Sequence, residues 1–91
     1  MKIVPINAGV SMKTPKHFKI GKPFWSATGK WIVRDIGTRS VIADLEIGTS
    51  KKHDGYEEVI FWDYDFGGCA PTLKKAARQF RWSKKIQRRV R

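Results

Sequence analysis

From His17 to Phe66 the apolar and polar positions follow the two-residue period of β-structure, and the last twenty residues change to the 3.6-residue period of a helix. HFKI, FWSA and KWIVRDI read as strand segments rich in β-branched and aromatic residues, with turn chemistry at Gly21, Pro23, Thr28 and Gly29. FWSA and KWIVRDI predict a hairpin closed at Gly29. In RSVIADLEI, the residues Val41, Ala43, Leu45 and Ile47 alternate with Ser40, Asp44 and Glu46, a strand with one buried face that only Ile42 interrupts. After the turn-rich GTSKKHDG comes YEEVIFWDYDF, with Val59 and Phe61 on one face and Ile60, Trp62 and Tyr64 on the other. Apolar residues on both faces predict a central strand.

GGCAP, Gly67 to Pro71, ends the sheet region, and Thr72 is a good N-cap for one helix running to Arg91. At 100° per residue, Leu73, Ala76, Ala77, Phe80, Ile86 and Val90 fall on about half the circumference, with Trp82 at the border. Lys74, Lys75, Arg78, Arg81, Lys85, Arg88 and Arg89 fill the opposite sector. The first fifteen residues have no period and contain Pro5, Gly9 and Pro15, so they read as an irregular arm with a short strand near Lys2 to Pro5. The expected fold is α+β: a small antiparallel sheet of four or five strands, a meander or a partly closed barrel, packed by one C-terminal basic amphipathic helix. Ninety-one residues make a single domain, with the arm at 1–15, the sheet at 16–66 and the basic helix at 72–91.

Charge sharpens this picture. Residues 1–71 hold ten Lys and Arg against eight acids, or +2, whereas residues 72–91 hold nine and no acid, which together give the net +11. Charge of one sign crowded on one segment opposes compaction, and its main use is attraction to a polyanion. Lys74 and Lys75 also stand in the first helical turn, where the helix dipole disfavours cations. A wholly cationic face is weakly explained by solubility, which acidic residues serve better.

The segment WIVRDIGTRSVIADLEI joins two strands through Asp35, Ile36, Gly37 and Thr38. Gly37 is expected to take the left-handed conformation of a bulged hairpin turn, with the Asp35 and Thr38 side chains bonding the turn's amides. A functional alternative makes Arg34, Thr38 and Arg39 an anion-binding corner. Trp31, Asp35, Ile36, Gly37, Thr38, Arg39, Val41 and Ala43, followed by Glu58, Val59, Phe61, Asp63, Asp65 and Cys69, make up a pattern. It resembles a family of short bacterial and phage proteins of unknown function marked by Trp-x-x-x-Asp-(Val/Ile)-Gly-Thr-Arg-x-(Val/Ile)-x-Ala. The resemblance covers about residues 24 to 70 and implies a shared fold unit with no known activity. The basic helix and the Lys-rich start, Lys13, Lys16, Lys19 and Lys22, lie outside it.

Catalytic constellations are poorly supplied. Cys69 with His17 or His53 is the only candidate nucleophile and base, and a lone Cys is more commonly inert. The same three residues fall one ligand short of a structural zinc site. Asp35, Asp44, Glu57, Glu58, Asp63 and Asp65 offer carboxylates for a metal-dependent nuclease, but alternate strand positions usually form a solvated face. Gly29 and Lys30 lack the flanking residues of a phosphate-binding loop, with Phe24 and Trp31 where Gly and Ser or Thr belong. Trp25, Trp31 and Trp62 are expected in the core, at least two of the three, while Trp82 either packs back on the sheet or offers a plate for a base.

One cysteine excludes an intramolecular disulfide, and the chain carries neither an apolar run for a signal peptide nor the roughly 18 apolar residues of a membrane span. The expectation is a cytoplasmic, non-enzymatic protein without metal, cofactor, small-molecule substrate or membrane partner. Its expected partner is nucleic acid, or a nucleoprotein complex, contacted through Lys74, Lys75, Arg78, Arg81, Trp82, Lys85, Arg88, Arg89, Arg34 and Arg39. RNA backbone is favoured, because a helix crowded with Lys and Arg and bearing only Gln79, Gln87 and Ser83 as neutral readers does not suit base recognition in a DNA groove. The alternative is a phage-encoded inhibitor of the anti-CRISPR type, docking on an RNA-guided complex to block guide RNA or target DNA.

Overall fold

The computed structural model describes residues 12–55 and 57–91. Five strands, β1 (Pro23–Ser26), β2 (Gly29–Ile36), β3 (Ser40–Gly48), β4 (Val59–Trp62) and β5 (Cys69–Ala70), precede two helices, α1 (Leu73–Phe80) and α2 (Lys84–Arg89). Every neighbouring pair is antiparallel, and the sheet order is β4-β3-β2-β1-β5. The α+β class is as expected. The short strand expected at Lys2 to Pro5 and most of the irregular arm lie outside the described residues.

One face of the sheet carries the main core. Phe24, Trp31, Val33, Val41, Ala43 and Phe61 point inward, capped by Met12 and Phe18 from the chain before β1 and by Phe66 and Cys69 from the chain after β4. The rings interlock: Phe18 meets Phe24 edge-on at 5.0 Å, and Trp31 meets Phe61 edge-on at 4.8 Å, the geometry that aromatic quadrupoles favour. The buried Trp31 indole donates to the Ser26 hydroxyl at 2.8 Å, which satisfies both groups.

Among the described residues, the opposite face is covered at its β1–β5 side. There Trp25 and Ala70 pack with Ala76 and Val90, and half-buried Ile47, Leu73, Phe80, Trp82 and Ile86 extend the cluster. A bulge explains why Ile47 belongs to this second core and leaves the face of Val41, Ala43 and Leu45. Trp31 pairs with Leu45 but Lys30 pairs with Ile47, so Glu46 is the extra residue and the alternation slips by one. A second slip at Arg34, between Val33 and Asp35, keeps Ile36 on the main core face.

Several expectations are corrected. The C-terminal segment is two helices with a break at Arg81, which takes the left-handed conformation (φ 55°). Trp82 N–H then reaches back to the Ala77 carbonyl, a Schellman-type closure, and Ser83 caps the next helix. HFKI is no strand: the 3-10 turn Pro15–His17 and a turn with Gly21 at φ 83° occupy it, held by Lys13 and Thr14 N–H groups donating to His17 Nδ1. The strand of YEEVIFWDYDF is short and forms an edge, since the Asp65 carboxylate takes the Trp62 N–H and winds Asp63–Gly68 into a 3-10 turn. GGCAP, expected to end the sheet, supplies β5. Gly37 keeps an ordinary φ; its N–H donates to the Ser40 carbonyl, and the positive-φ glycine of the sheet is Gly29, which a Cβ would drive into the Ile47 carbonyl.

Candidate nucleic-acid interface

Local chemistry sets the two helices. Thr72 Oγ1 accepts the Lys75 N–H at 3.1 Å and Ser83 Oγ accepts the Ile86 N–H at 3.3 Å, so each helix has a side-chain N-cap. Their apolar residues face the sheet, with Ala76 and Val90 fully buried. That burial fixes which side faces water: Lys74, Arg78, Arg81, Lys84, Lys85, Arg88 and Arg91 are exposed and Lys75 is half-buried. The first turn of neither helix contains an acid, so Lys74, Lys75, Lys84 and Lys85 all stand where the helix dipole is unfavourable to them.

Three long-range ties hold α2 in place. The Trp25 indole N–H donates to the Val90 carbonyl at 2.8 Å in a buried setting. Arg89 Nε donates to the Gly48 carbonyl at 2.7 Å, and its terminal amino group pairs with Asp54 at 3.0 Å. Asp54 also accepts the Gly48 N–H, so Arg89, Gly48 and Asp54 form one knot between α2, β3 and the chain after it. Arg89 thus ties α2 to the sheet, a structural role beside the contact expected of it.

The other cations sort by the same test. Lys30 and Arg34 in β2 and Arg39 in the β2–β3 turn are paired with Glu46, Asp44 and Asp63 at 2.8, 2.6 and 2.8 Å, whereas Lys13, Lys16, Lys19, Lys22, Lys51 and Lys52 have no carboxylate partner among the described residues. Arg39 holds the Asp63 carboxyl below the usual carboxylate range, chiefly through their side-chain hydrogen bond, and Asp63 in turn raises the guanidinium. Among the described residues, Lys74, Lys75, Arg78, Arg81, Lys84, Lys85, Arg88 and Arg91 have no carboxylate partner. Six of the expected site residues thus stand unpaired on the helical segment, while Arg34 and Arg39 lie on β2 and in the β2–β3 turn and Arg89, on α2, is tied to Gly48 and Asp54. Lys84 and Arg91 join those six, and the basic run SKKIQRRVR was the signal for both.

Trp82 packs back on the fold, with its ring 5.2 Å from Phe80 and its carbonyl accepting from Gln87. Trp25 and Trp31 are buried, while Trp62 is 44% exposed beside Ile60 (48%) and Tyr64 (78%) on the β4 edge. Cys69 is buried next to the Asp65 carbonyl, and burial, with the Asp65 charge adding to it, pushes its thiol up to about 12. Asp44, Asp54 and Asp63 bind cations, Asp35 holds the Ile36 N–H and Asp65 the Trp62 N–H. Among the described residues no three His, Cys, Asp or Glu side chains converge to hold a metal ion, and no helix is long and apolar enough to cross a membrane.

No protein-family model matches the chain, and no curated protein or solved structure is significantly similar to it.

Proposed function

We propose that this protein acts in the cytoplasm as a nucleic-acid binder, with the exposed sides of α1 and α2 neutralising backbone phosphates of RNA. The observation that carries the reading is the density of unpaired charge: eight cations within residues 74–91 have no carboxylate partner among the described residues, and that segment contains no acid of its own. Those eight cannot turn inward, because the apolar sides of both helices are committed to Trp25, Ala70 and Ile47. Unpaired positive charge held in fixed positions is what a phosphate backbone requires, and the released counterions supply the affinity.

The test is binding of the purified protein to single-stranded RNA and duplex DNA over a range of salt. A variant with Arg78→Ala, Arg81→Ala, Lys85→Ala and Arg88→Ala removes four cations and spares Arg89. With four fewer phosphates neutralised on a single strand, the log–log salt slope flattens by about 3. A wild type that binds neither nucleic acid, or a variant with an unchanged slope, refutes the reading.

One observation favours a second reading, docking on an RNA-guided nucleoprotein complex as an inhibitor. The β4 edge exposes Ile60, Trp62 and Tyr64 among the exposed acids Glu57, Glu58 and Asp65, a surface suited to protein and unsuited to phosphate. In that reading the β4 edge would meet protein and the helical cations would meet RNA. Binding to an assembled complex that Trp62→Ala weakens, without binding to free RNA, would select this reading.

A further inference from the structure

A groove of about 730 Å³ lies between the chain entering the 3-10 turn Pro15–His17 and the β2–β3 turn. Its apolar lining is Pro15, Ile36 and the small exposed part of the otherwise buried Phe18; Lys13, Lys16 and Arg39 bring positive charge to it, and Asp63 is the one acid among its described lining residues. Asp63 is already neutralised by Arg39, so the groove has a net positive charge of about two, which balances the roughly two negative charges of a phosphate monoester near pH 7. Arg39 bonds Asp63 through Nε alone, which leaves both terminal amino groups without a protein acceptor among the described residues. A guanidinium fork of that kind suits phosphate oxygens. The lysine-bearing rim is held in shape by the imidazole of His17, which accepts the backbone N–H groups of Lys13 and Thr14.

We infer that this groove is a binding site for one nucleotide unit, its phosphate at Lys13, Lys16 and Arg39 and its apolar body against Phe18 and Ile36. The volume falls within the range of small-molecule sites, and the mixture of an apolar floor with a few convergent charges is their usual make-up. The site is separate from the helical cations, since the nine residues of β3 put roughly 30 Å between the β2–β3 turn and the Gly48 end where α2 is tied. It rests on the nucleic-acid reading only for the source of the nucleotide, which is either part of a bound strand or a free mononucleotide.

The experiment follows the backbone amide resonances of Gly37 and Thr38 by NMR while adenosine 5′-monophosphate is added. The expected result is a saturable shift in the wild type and in the four-residue helix variant, and about a tenfold or greater loss of affinity in Lys13→Ala/Lys16→Ala, for charge-assisted hydrogen bonds removed from solvent-exposed side chains. No shift at Gly37 and Thr38, an undiminished shift in Lys13→Ala/Lys16→Ala, or equal affinity for inorganic phosphate alone overturns the inference. Failure of the helix variant to lose RNA affinity, by contrast, strikes the proposed function and leaves the groove standing. Weaker RNA binding by Lys13→Ala/Lys16→Ala assigns the nucleotide to a strand; unchanged RNA binding with lost mononucleotide binding assigns it to the free ligand.

Discussion

Arg88 and Arg89 are adjacent in sequence but differ in pairing, and under the proposed function replacing each by alanine separates architecture from interface. Arg89 gives a 2.7 Å bond to the Gly48 carbonyl and a 3.0 Å pair with Asp54, with side chains 30% and 49% exposed. A hydrogen bond from a charged donor contributes about 1.5–3 kcal/mol. A partly exposed ion pair adds no more than about 1 kcal/mol. Arg89→Ala should therefore cost roughly 2–3 kcal/mol, which in a domain of this size lowers Tm by about 10–20 °C. Arg88 is exposed and has no carboxylate partner among the described residues, so Arg88→Ala should stay within about 0.5 kcal/mol of wild type. The binding readout runs the other way: Arg88→Ala leaves one phosphate without its cation and flattens the RNA salt slope by about 0.7, whereas Arg89→Ala, measured well below its Tm, keeps the slope. Thermal melts by circular dichroism and fluorescence anisotropy against salt give both numbers. Equal stabilities of the two variants, or a slope that falls with Arg89 and not with Arg88, would refute the assignment.

Trp25→Phe keeps most of the ring but leaves the buried Val90 carbonyl without its donor, so the urea midpoint should fall by the equivalent of about 1–3 kcal/mol; an unchanged midpoint would show that α2 does not depend on that bond. Arg81→Gly relieves a left-handed residue that carries a Cβ, and should raise stability by about 1 kcal/mol in urea unfolding while lowering RNA affinity at low salt. A stability gain without loss of affinity would remove Arg81 from the interface. The Cys69 thiol, raised to about 12, should resist disulfide exchange reagents at pH 8 until the chain is unfolded. Because its folded pKa lies above the unfolded value, its burial stabilises fully below about pH 8.5 and that contribution is lost as pH climbs toward about 12; Cys69→Ala should flatten the alkaline limb of the stability curve, and an identical limb would refute the thiol's part in it.

Where pairing is local, the sequence made the fold legible. The hairpin through Gly29 and the inward set Val41, Ala43 and Leu45 follow from alternation alone. Ile47 does not, because a bulge is a property of two strands in register and a one-residue slip at Glu46 reverses every side chain after it. The edge position of β4 is hidden for a related reason: Ile60 and Trp62 look like the second buried face of a central strand, yet they pair with Ile42 and Ser40 on a face that remains exposed. Of the candidate interface, the location of the charge was readable from composition. Which cations are free was not, since Arg89 finds its partners 41 and 35 residues away.

The break at Arg81 is what turns a charged tail into a positioned surface. An unbroken helix over residues 72–91 would be a rod of about 30 Å, its apolar side outrunning the narrow β1–β5 side of the sheet. With the helix broken at a left-handed residue, α1 rests on β1 and β5, and the α2 end is tied to Trp25 and Gly48. Two short helices of this length are marginal by themselves. Each is therefore held by packing, through Ala76 and Val90, and by its Thr or Ser cap, and gains nothing from its lysines at the first turn. The cations thus sit on elements that were stabilised by other means, in fixed relation to the sheet and to one another. Repulsion among them works against folding, and a bound polyanion removes it, so added RNA should raise Tm most at low salt, where both the repulsion and the affinity are greatest.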